Sequence, residues 1–484
     1  MQKNRTSINL NFLLIIALSS MMFINFVLPI SSSFYISFGL LFLLIVIFLI
    51  AILEQNKCLF FLQKIVLKKG GLFSLYTIFL IYTVISFVIL MIIIKAKFFS
   101  FIIPFVGGLI FQIGFALLLG AYCAYYKFSS KKIMQIINIV LFIIFSIGII
   151  DFISAFFYIT PIMDLIQMFS NEQLCVFGTI TPKVYVGGIP RVQSIFIEPS
   201  VLGSFTTLML PFIYKIGSSP YKYYKNFILN FVLKKALIPL AWLNLLLTQS
   251  PIFLVFAVLL TLLYYLKTII KSIKKHFKSI FFLLIVLFTF LYVFLISSGI
   301  NLTETYLNRI LIVIDALGNF DKLVQTEGSL ATRLNYYINE LCIWSQHPII
   351  GVGLGGMKNY VEKQMTYHSP IPLTMEILMK IYLSPKFAIL TGFFYKYITE
   401  TGLIGIGLLY AYLINIIKNL KNISKFLHNG IDKDLLGALI WFIVFFIFLG
   451  FYNIGYMDLY IWCIIGLGIG SFYKIKKRFV YNEQ

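Results

Sequence analysis

Apolar runs long enough to cross a lipid bilayer recur along almost the whole of this 484-residue chain. A membrane-spanning helix needs about 20 predominantly apolar residues, because the hydrocarbon core of a bilayer is about 30 Å thick. Charged residues make up only 12% of the chain, against about 25% in soluble domains. The pattern predicts an all-α polytopic membrane protein, with a single integral membrane domain over 1–484, and it excludes an ordinary soluble globular fold.

About twelve transmembrane helices fit the hydropathy pattern. They are predicted at roughly 8–30, 33–53, 71–94, 98–124, 133–157, 197–214, 231–248, 251–267, 279–298, 391–416, 435–451 and 455–473. The first of them is longer than the apolar core of a signal peptide and lacks a small-residue cleavage site. We therefore expect it to remain as an uncleaved anchor.

The placement of lysine and arginine predicts how the chain crosses the membrane. Cytoplasmic loops carry an excess of these residues, and with both termini in the cytoplasm most of the 39 basic residues fall in inner segments. The net charge of +22 is then a topology signal. It does not indicate nucleic-acid binding, which would gather basic residues on one soluble face. Membrane lipid is the expected surrounding, and no nucleic-acid partner is expected.

Two external segments, 158–196 and 299–390, are much longer than the other connections. Long loops in a compact architecture are commonly functional. Within the second loop, "SLATRLNYYINELCIWSQHP" predicts a short amphipathic helix that Ser329 can cap and Pro348 ends. Its apolar positions have helical spacing and predict the face that rests on the membrane domain: Leu334, Tyr337, Ile338, Leu341 and Trp344.

Arginine is rare in this chain, yet three of its five arginines, Arg191, Arg309 and Arg333, fall on the predicted external side. A planar guanidinium binds two oxygens of a phosphate or carboxylate at once, which a lysine cannot do. Arg333 also falls in the first turn of the predicted helix, where the helix dipole favours an anion. The alternative is an interfacial position or a pairing with one of three acids: Glu198, Glu304 and Glu340.

Three further polar residues at the external side could take part in chemistry. Glu198, directly before Pro199 at the outer mouth of the sixth span, could orient Arg191 or accept a proton, or could simply start a helix. Asp151 falls near the outer end of the fifth span, and structural and functional roles are both open for it. His368 is a candidate general base or a solvated loop histidine.

The stretch "GVGLGG" formally contains G-x-G-x-x-G at Gly351, Gly353 and Gly356. No buried strand precedes it, so a dinucleotide site is excluded. We expect the glycines to permit a tight turn against a ligand or a neighbouring helix. No clustered metal-ligand motif is present in the sequence, and neither a metal nor another cofactor is expected.

Four motifs follow one another in a recognisable order: Arg191 with "SIFIEPSVLGSF", then "TQS", then Arg333 ahead of "HPIIGVGLGG", then "YITETGLIGIG". In this order they resemble the bacterial O-antigen ligase and polymerase superfamily, and most closely its Wzy-type polymerases of polysaccharide repeat units. The resemblance covers roughly 185–270 and 325–415. The N-terminal spans resemble the family only as generic membrane helices.

The resemblance implies a glycosyltransferase of GT-C-like architecture in the bacterial inner membrane, with its active site at the external face. Arg191 and Arg333 would hold the diphosphate of an undecaprenyl-diphosphate-linked oligosaccharide, and Glu198 or His368 would be the base. The other residues expected at the substrate are Arg309, Gly351, Gly353, Glu400 and Asp151. The implied reaction is inverting transfer of the growing glycan of an O-antigen or capsular polysaccharide. This reaction is compatible with a partner protein that regulates chain length.

Two departures from the family pattern bear on the activity. Many relatives, ligases above all, have a histidine about nine residues before the glutamate that corresponds to Glu400, whereas "ILTGFFYKYITE" has none. Pro251 also stands where relatives often have arginine. The missing histidine favours a polymerase over a ligase. The third alternative, a flippase or other transporter, predicts charges at mid-depth and short loops on both sides.

Overall fold

The computed structural model describes residues 27–31, 34–37, 50, 52, 54–94, 103–170, 185–186, 189–194, 196, 199–250, 252–266, 337, 340–356, 393–427, 430–451 and 459–482. Arg191, Asp151, Gly351, Gly353 and Glu400 are among them. Four other candidate site residues, Glu198, Arg309, Arg333 and His368, lie outside the described residues.

The described part of the chain is almost wholly helical. Its helices are α1 (Gln55–Phe61), α2 (Ser74–Ile94), α3 (Phe115–Tyr122), α4 (Ser130–Phe156), α5 (Thr160–Ser170), α6 (Pro199–Ser218), α7 (Phe227–Lys235), α8 (Leu237–Leu247), α9 (Ile252–Leu266), α10 (Phe393–Lys425), α11 (Ile431–Leu449) and α12 (Leu459–Asn482). Three π-helical stretches extend α1 and flank α3: Leu62–Val66, Ile103–Gly114 and Cys123–Lys127. A further helical turn occupies 340–346.

Four described helices are long and apolar enough to cross a membrane: Ser74–Ile92, Gly108–Lys127, Ser130–Phe156 and Phe394–Lys425. They coincide with the third, fourth, fifth and tenth predicted spans. The helical membrane-type fold is therefore confirmed, while the number of twelve spans and the GT-C-like architecture stay predictions.

The first two predicted spans, 8–30 and 33–53, are wrong at their facing ends. Strand β1 (Val27–Ser31) pairs antiparallel with β2 (Phe34–Ser37), so the chain turns back through a hairpin there. Pro29 lies in β1, and its missing N–H and fixed ring disfavour a continuing helix. A second hairpin, β3 (Tyr185–Val186) with β4 (Ile189–Pro190), precedes Arg191 in the first predicted external loop.

Glycines allow α12 to approach α3 at backbone distance. A Cβ atom built on Gly466 would lie 2.2 Å from the carbonyl oxygen of Leu117, and one built on Gly470 would lie 2.1 Å from that of Ala121. Small residues permit this close approach of helices in membranes, where van der Waals packing takes the place of a hydrophobic driving force. The α3–α12 pair forms a central part of the helix bundle.

Basic residues gather at one end of the bundle, which we call the basic end. Lys127 contacts Glu54, Lys215 pairs with Asp434, and Arg478 pairs with Asp432 across neighbouring helices. The described cations at this end are Arg478 and the lysines within 57–69, 127–132, 215–235, 418–433 and 474–477. This segregation agrees with the predicted topology, in which these segments are cytoplasmic.

At the opposite end of the bundle, which we call the Arg191 end, Arg191 and Lys396 are the cations among the described residues. Antiparallel helices bring their termini together here: the Phe394 amide donates to the Gly450 carbonyl at 2.9 Å, and the ring of Phe205 lies 5.3 Å from that of Tyr460. The polar residues singled out from the sequence collect at this end.

Candidate functional site

Arg191 is held by the turn 248–250, which connects α8 with α9. Its Nε donates to the Thr248 carbonyl oxygen at 3.0 Å, and its Nη2 donates to the Ser250 hydroxyl at 3.1 Å. The neighbouring Val192 amide donates to the Leu247 carbonyl at 3.0 Å. The structure thus joins two motifs that are far apart in sequence, Arg191 and "TQS".

The end of α8 explains part of this arrangement. The last carbonyl groups of a helix lack partners within the helix, and the dipole favours a cation beside them. Arg191 and the Val192 amide satisfy two such carbonyls, those of Thr248 and Leu247. Gln249, between the two Arg191 partners, has a φ of 49°, a left-handed conformation that is uncommon for a residue other than glycine.

Asp151 fixes the backbone that follows Arg191 in sequence. It is 3% exposed near the end of α4, and its Oδ2 accepts from the amides of Gln193 and Ser194 at 3.0 and 3.1 Å. The Ser194 hydroxyl donates to the Ile144 carbonyl of the same helix at 2.9 Å. Asp151 therefore anchors the loop that carries Arg191 onto α4, and direct contact of Asp151 with substrate stays a prediction.

The second polar cluster lies where α10 is interrupted. Gly402 has φ 65° and ψ −173°, which breaks the regular helix. The backbone there bonds instead to the loop that follows 340–346: Val352 N donates to Thr399 O at 2.9 Å, and Leu403 N donates to Pro348 O at 3.0 Å. An interrupted membrane helix is tolerated only where protein or water satisfies its freed backbone groups, and this loop does so.

Gly351 and Gly353 make the close contact possible. Both have positive φ, +71° and +84°, and a Cβ atom on Gly351 would lie 2.5 Å from the Glu400 carbonyl oxygen. The Gly353 amide donates to that same oxygen at 2.8 Å. Of the two roles expected for these glycines, the structure shows the tight turn against a neighbouring helix. A ligand contact stays a prediction.

Glu400 reinforces this junction with its side chain. It is 3% exposed, and its Oε1 accepts from the Gly355 amide at 3.1 Å. Backbone and side chain of Glu400 thus both hold the residues 351–356, which we call the glycine loop, on α10. The structure shows this bracing contact, while a role of Glu400 at the substrate remains a prediction.

The predicted helix before Pro348 packs partly through the expected face. Of its expected members, Tyr337 is buried and Trp344 packs against the core, but Leu341 is 38% exposed. Glu340 and Ile343, which were not expected, are both 0% exposed. Glu340 also accepts through its carbonyl from the Thr399 hydroxyl of α10 at 3.0 Å. Apolar periodicity missed Glu340 because this turn packs on the polar, interrupted part of α10.

Among the residues that the structure describes, no group of three or more His, Cys, Asp and Glu side chains could hold a metal ion. Two hydroxyl residues are partners of the two clusters, Ser250 through Arg191 and Thr399 through Glu340. Ser250 was quoted from the sequence only as part of "TQS", and no motif pointed to Thr399, because hydroxyl residues are common in membrane helices.

A family model described as O-antigen ligase matches residues 236–377. The match confirms the resemblance to the O-antigen ligase and polymerase superfamily. It includes the turn 248–250 and the glycine loop, as well as three candidate residues outside the described part: Arg309, Arg333 and His368. Asp151 and Arg191 precede the matched segment, and Glu400 follows it. No curated protein matches the chain.

Proposed function

We propose that the protein is a membrane glycosyltransferase that polymerises O-antigen or capsular repeat units carried on undecaprenyl diphosphate. The growing glycan would leave its lipid carrier and join the non-reducing end of the next lipid-linked unit, with inversion at the anomeric carbon. The observation that carries the proposal is the Arg191 guanidinium, held at the Arg191 end by the turn 248–250, in a chain whose residues 236–377 match a family model described as O-antigen ligase.

The chemistry of this reaction suits the residues present. The diphosphate is already a good leaving group, so the protein has to stabilise the negative charge that develops on it as the glycosidic bond breaks. An oriented guanidinium can do this through two parallel hydrogen bonds to phosphate oxygens. A base must take the proton from the attacking sugar hydroxyl, and Glu198 and His368 remain our candidates.

Arg333 is the proposed second phosphate ligand. In sequence it precedes Tyr337 and the helical turn 340–346. The helix α10 contacts both, through the stacked rings of Tyr337 and Tyr395, 4.5 Å apart, and through the Thr399–Glu340 hydrogen bond. These contacts attach the described residues that follow Arg333 to the part of α10 at the Arg191 end, which supports the proposal. Convergence of Arg191 and Arg333 on one diphosphate is part of the proposal.

A ligase of the same superfamily is the second candidate, and the description of the matching family favours it. A ligase would move the finished glycan to a different acceptor. The missing histidine before Glu400 supports the polymerase, as set out from the sequence. A flippase is the third candidate, and the position of Arg191 and Glu400 in clusters at one end of the bundle argues against it.

Deletion of the gene, followed by electrophoresis of the surface glycan, separates the three candidates. We expect glycans of a single repeat unit, because the units would still be made, exported and attached. Long glycans that are not attached to their acceptor would instead identify a ligase. Loss of all surface glycan would identify a flippase.

Substitution of the arginines tests the site itself. Arg191→Lys and Arg333→Lys should each abolish chain extension with normal protein levels, because lysine keeps the charge but loses the fork. Arg478→Lys is the matched control, since Arg478 lies at the basic end, and we expect wild-type chain lengths. Arg309→Lys should be mild. Normal chain lengths in the Arg191 or Arg333 variant would remove that residue from the site.

A further inference from the structure

We infer that Ser250 is a positioning residue, whose hydroxyl orients the Arg191 guanidinium for the lipid diphosphate. The inference rests on the proposed function, because it assigns the orientation of a ligand that the function requires. Ser250 is 6% exposed and ends the turn 248–250, ahead of α9. The "TQS" motif contains Ser250 but does not assign it this role; the bond from Arg191 does.

The two bonds to the turn use one particular edge of the guanidinium. Nε and Nη2 form the side edge of the arginine fork, and here Nε reaches the Thr248 carbonyl while Nη2 reaches the Ser250 hydroxyl. The end edge, formed by Nη1 and Nη2, is thereby directed away from the turn. An arriving phosphate would meet this end edge, with the plane of the fork already set.

The Ser250 hydroxyl adds to the hold of the Thr248 carbonyl on that plane. Bonds at both Nε and Nη2 restrain the planar group more than the bond at Nε does without the other. Ordering a long side chain only when the ligand arrives weakens binding. Removing the Ser250 hydroxyl should therefore weaken diphosphate binding without removing any group that contacts the diphosphate.

A purely structural role for the same contact makes a different prediction. Arg191 and Val192 satisfy the last carbonyls of α8, so the turn could serve only to end that helix. Loss of the Ser250 hydroxyl would then lower thermal stability and leave diphosphate affinity unchanged. The two roles are separated by measuring affinity and stability on the same variants.

The experiment uses the full chain in detergent, with undecaprenyl diphosphate as the probe and undecaprenyl monophosphate as the reference. Ser250→Thr and Ser250→Val are a matched pair, because threonine and valine have similar size and differ by a hydroxyl. We expect the threonine variant to bind the diphosphate like the wild type. The valine variant should bind about 3- to 10-fold more weakly, as expected from ordering one long side chain on binding.

Two further variants make the test specific. Ser204→Ala removes another buried serine hydroxyl, which bonds within α6 to the Val201 carbonyl, and should leave affinity unchanged. In an Arg191→Lys background, Ser250→Val should weaken binding no further, because Ser250 acts through Arg191. An additional loss of similar size in that background would overturn the inference.

The outcomes separate this inference from the proposed function. Weak binding by Arg191→Lys together with equal binding by the threonine and valine variants would overturn the role of Ser250 and leave the function standing. Wild-type binding by Arg191→Lys would remove Arg191 from the diphosphate site, and the function would lose its main support. A lower melting temperature of the valine variant at unchanged affinity would assign the hydroxyl to structure alone.

Discussion

Gly402→Ala should disconnect the glycine loop from α10. A Cβ atom at this position would lie 2.2 Å from the Ile349 carbonyl oxygen and 2.6 Å from the Gly351 nitrogen. Both neighbours are backbone atoms, so a rotation of a side chain cannot relieve the overlap. The conformation at Gly402, φ 65° and ψ −173°, is also one that is essentially confined to glycine.

The structure allows two responses, and both are costly. Retaining the junction keeps alanine in a disfavoured conformation, at about 1–3 kcal/mol, in addition to the steric overlap. Opening the junction loses the four backbone hydrogen bonds that join residues 348–353 to residues 399–404. Each of these bonds contributes about 1 kcal/mol net. The free energy of unfolding should therefore fall by roughly 3–5 kcal/mol, a large share of the 5–15 kcal/mol typical of proteins.

The assay is thermal unfolding of the purified protein in detergent, combined with glycan extension in cells. Gly407→Ala is the matched control, because Gly407 lies on the same helix and a Cβ atom there would meet nothing within 4 Å. We expect Gly402→Ala to lower the melting temperature by about 3–5 °C and to abolish extension. Equal melting of the two variants would refute the backbone contact that we describe.

Three other predictions concern the bundle and the ions. Gly466→Ala should lower the melting temperature because its Cβ atom would lie 2.2 Å from Leu117 O, whereas Gly468→Ala, with no atom nearer than 3.5 Å, should be tolerated; equal effects would contradict the close helix pair. Burial opposes ionisation of Glu54, but hydrogen bonds and charge, led by Lys127, outweigh it and lower the pKa of its carboxyl below the ordinary 4.5. A carboxyl whose pKa is lower in the folded state stabilises the protein above pH 4.5, and this contribution is lost as the pH falls below that value. Below pH 4.5, the melting temperature of Glu54→Gln should therefore fall less steeply with pH than that of the wild type. Chelation by EDTA should leave glycan extension unaltered, and recovery of lost activity by a divalent cation would contradict a metal-free mechanism.

Several helices could be predicted from the sequence to within a few residues. The span expected at 71–94 is the helix Ser74–Ile94, and the one expected at 133–157 is Ser130–Phe156. This succeeded because a helix that faces lipid has to be apolar along its own length, which is a local property of the sequence. The same local rule missed the hairpin of β1 and β2, where an apolar segment pairs with its neighbour instead.

The candidate site depended much more on tertiary structure. Charge and rarity pointed to Arg191, and motif order pointed to the turn 248–250, but their contact became visible only with α8 and α9 in place. The burial of Glu340 in place of Leu341 likewise follows from the segment on which that helical turn packs. Which face is buried depends on the partner, and apolar spacing carries no information about a polar partner.

The sequence by itself determined that the chain lies in a membrane, where its main helices run, and which end of them collects the basic residues. Each of these follows from the transfer of individual side chains between water and lipid. Tertiary structure decided that Asp151 serves the amides of Gln193 and Ser194, and that Gly402 interrupts α10 to receive the glycine loop. Those contacts join backbone groups, which every residue carries, so only the folded path of the chain determines which of them meet.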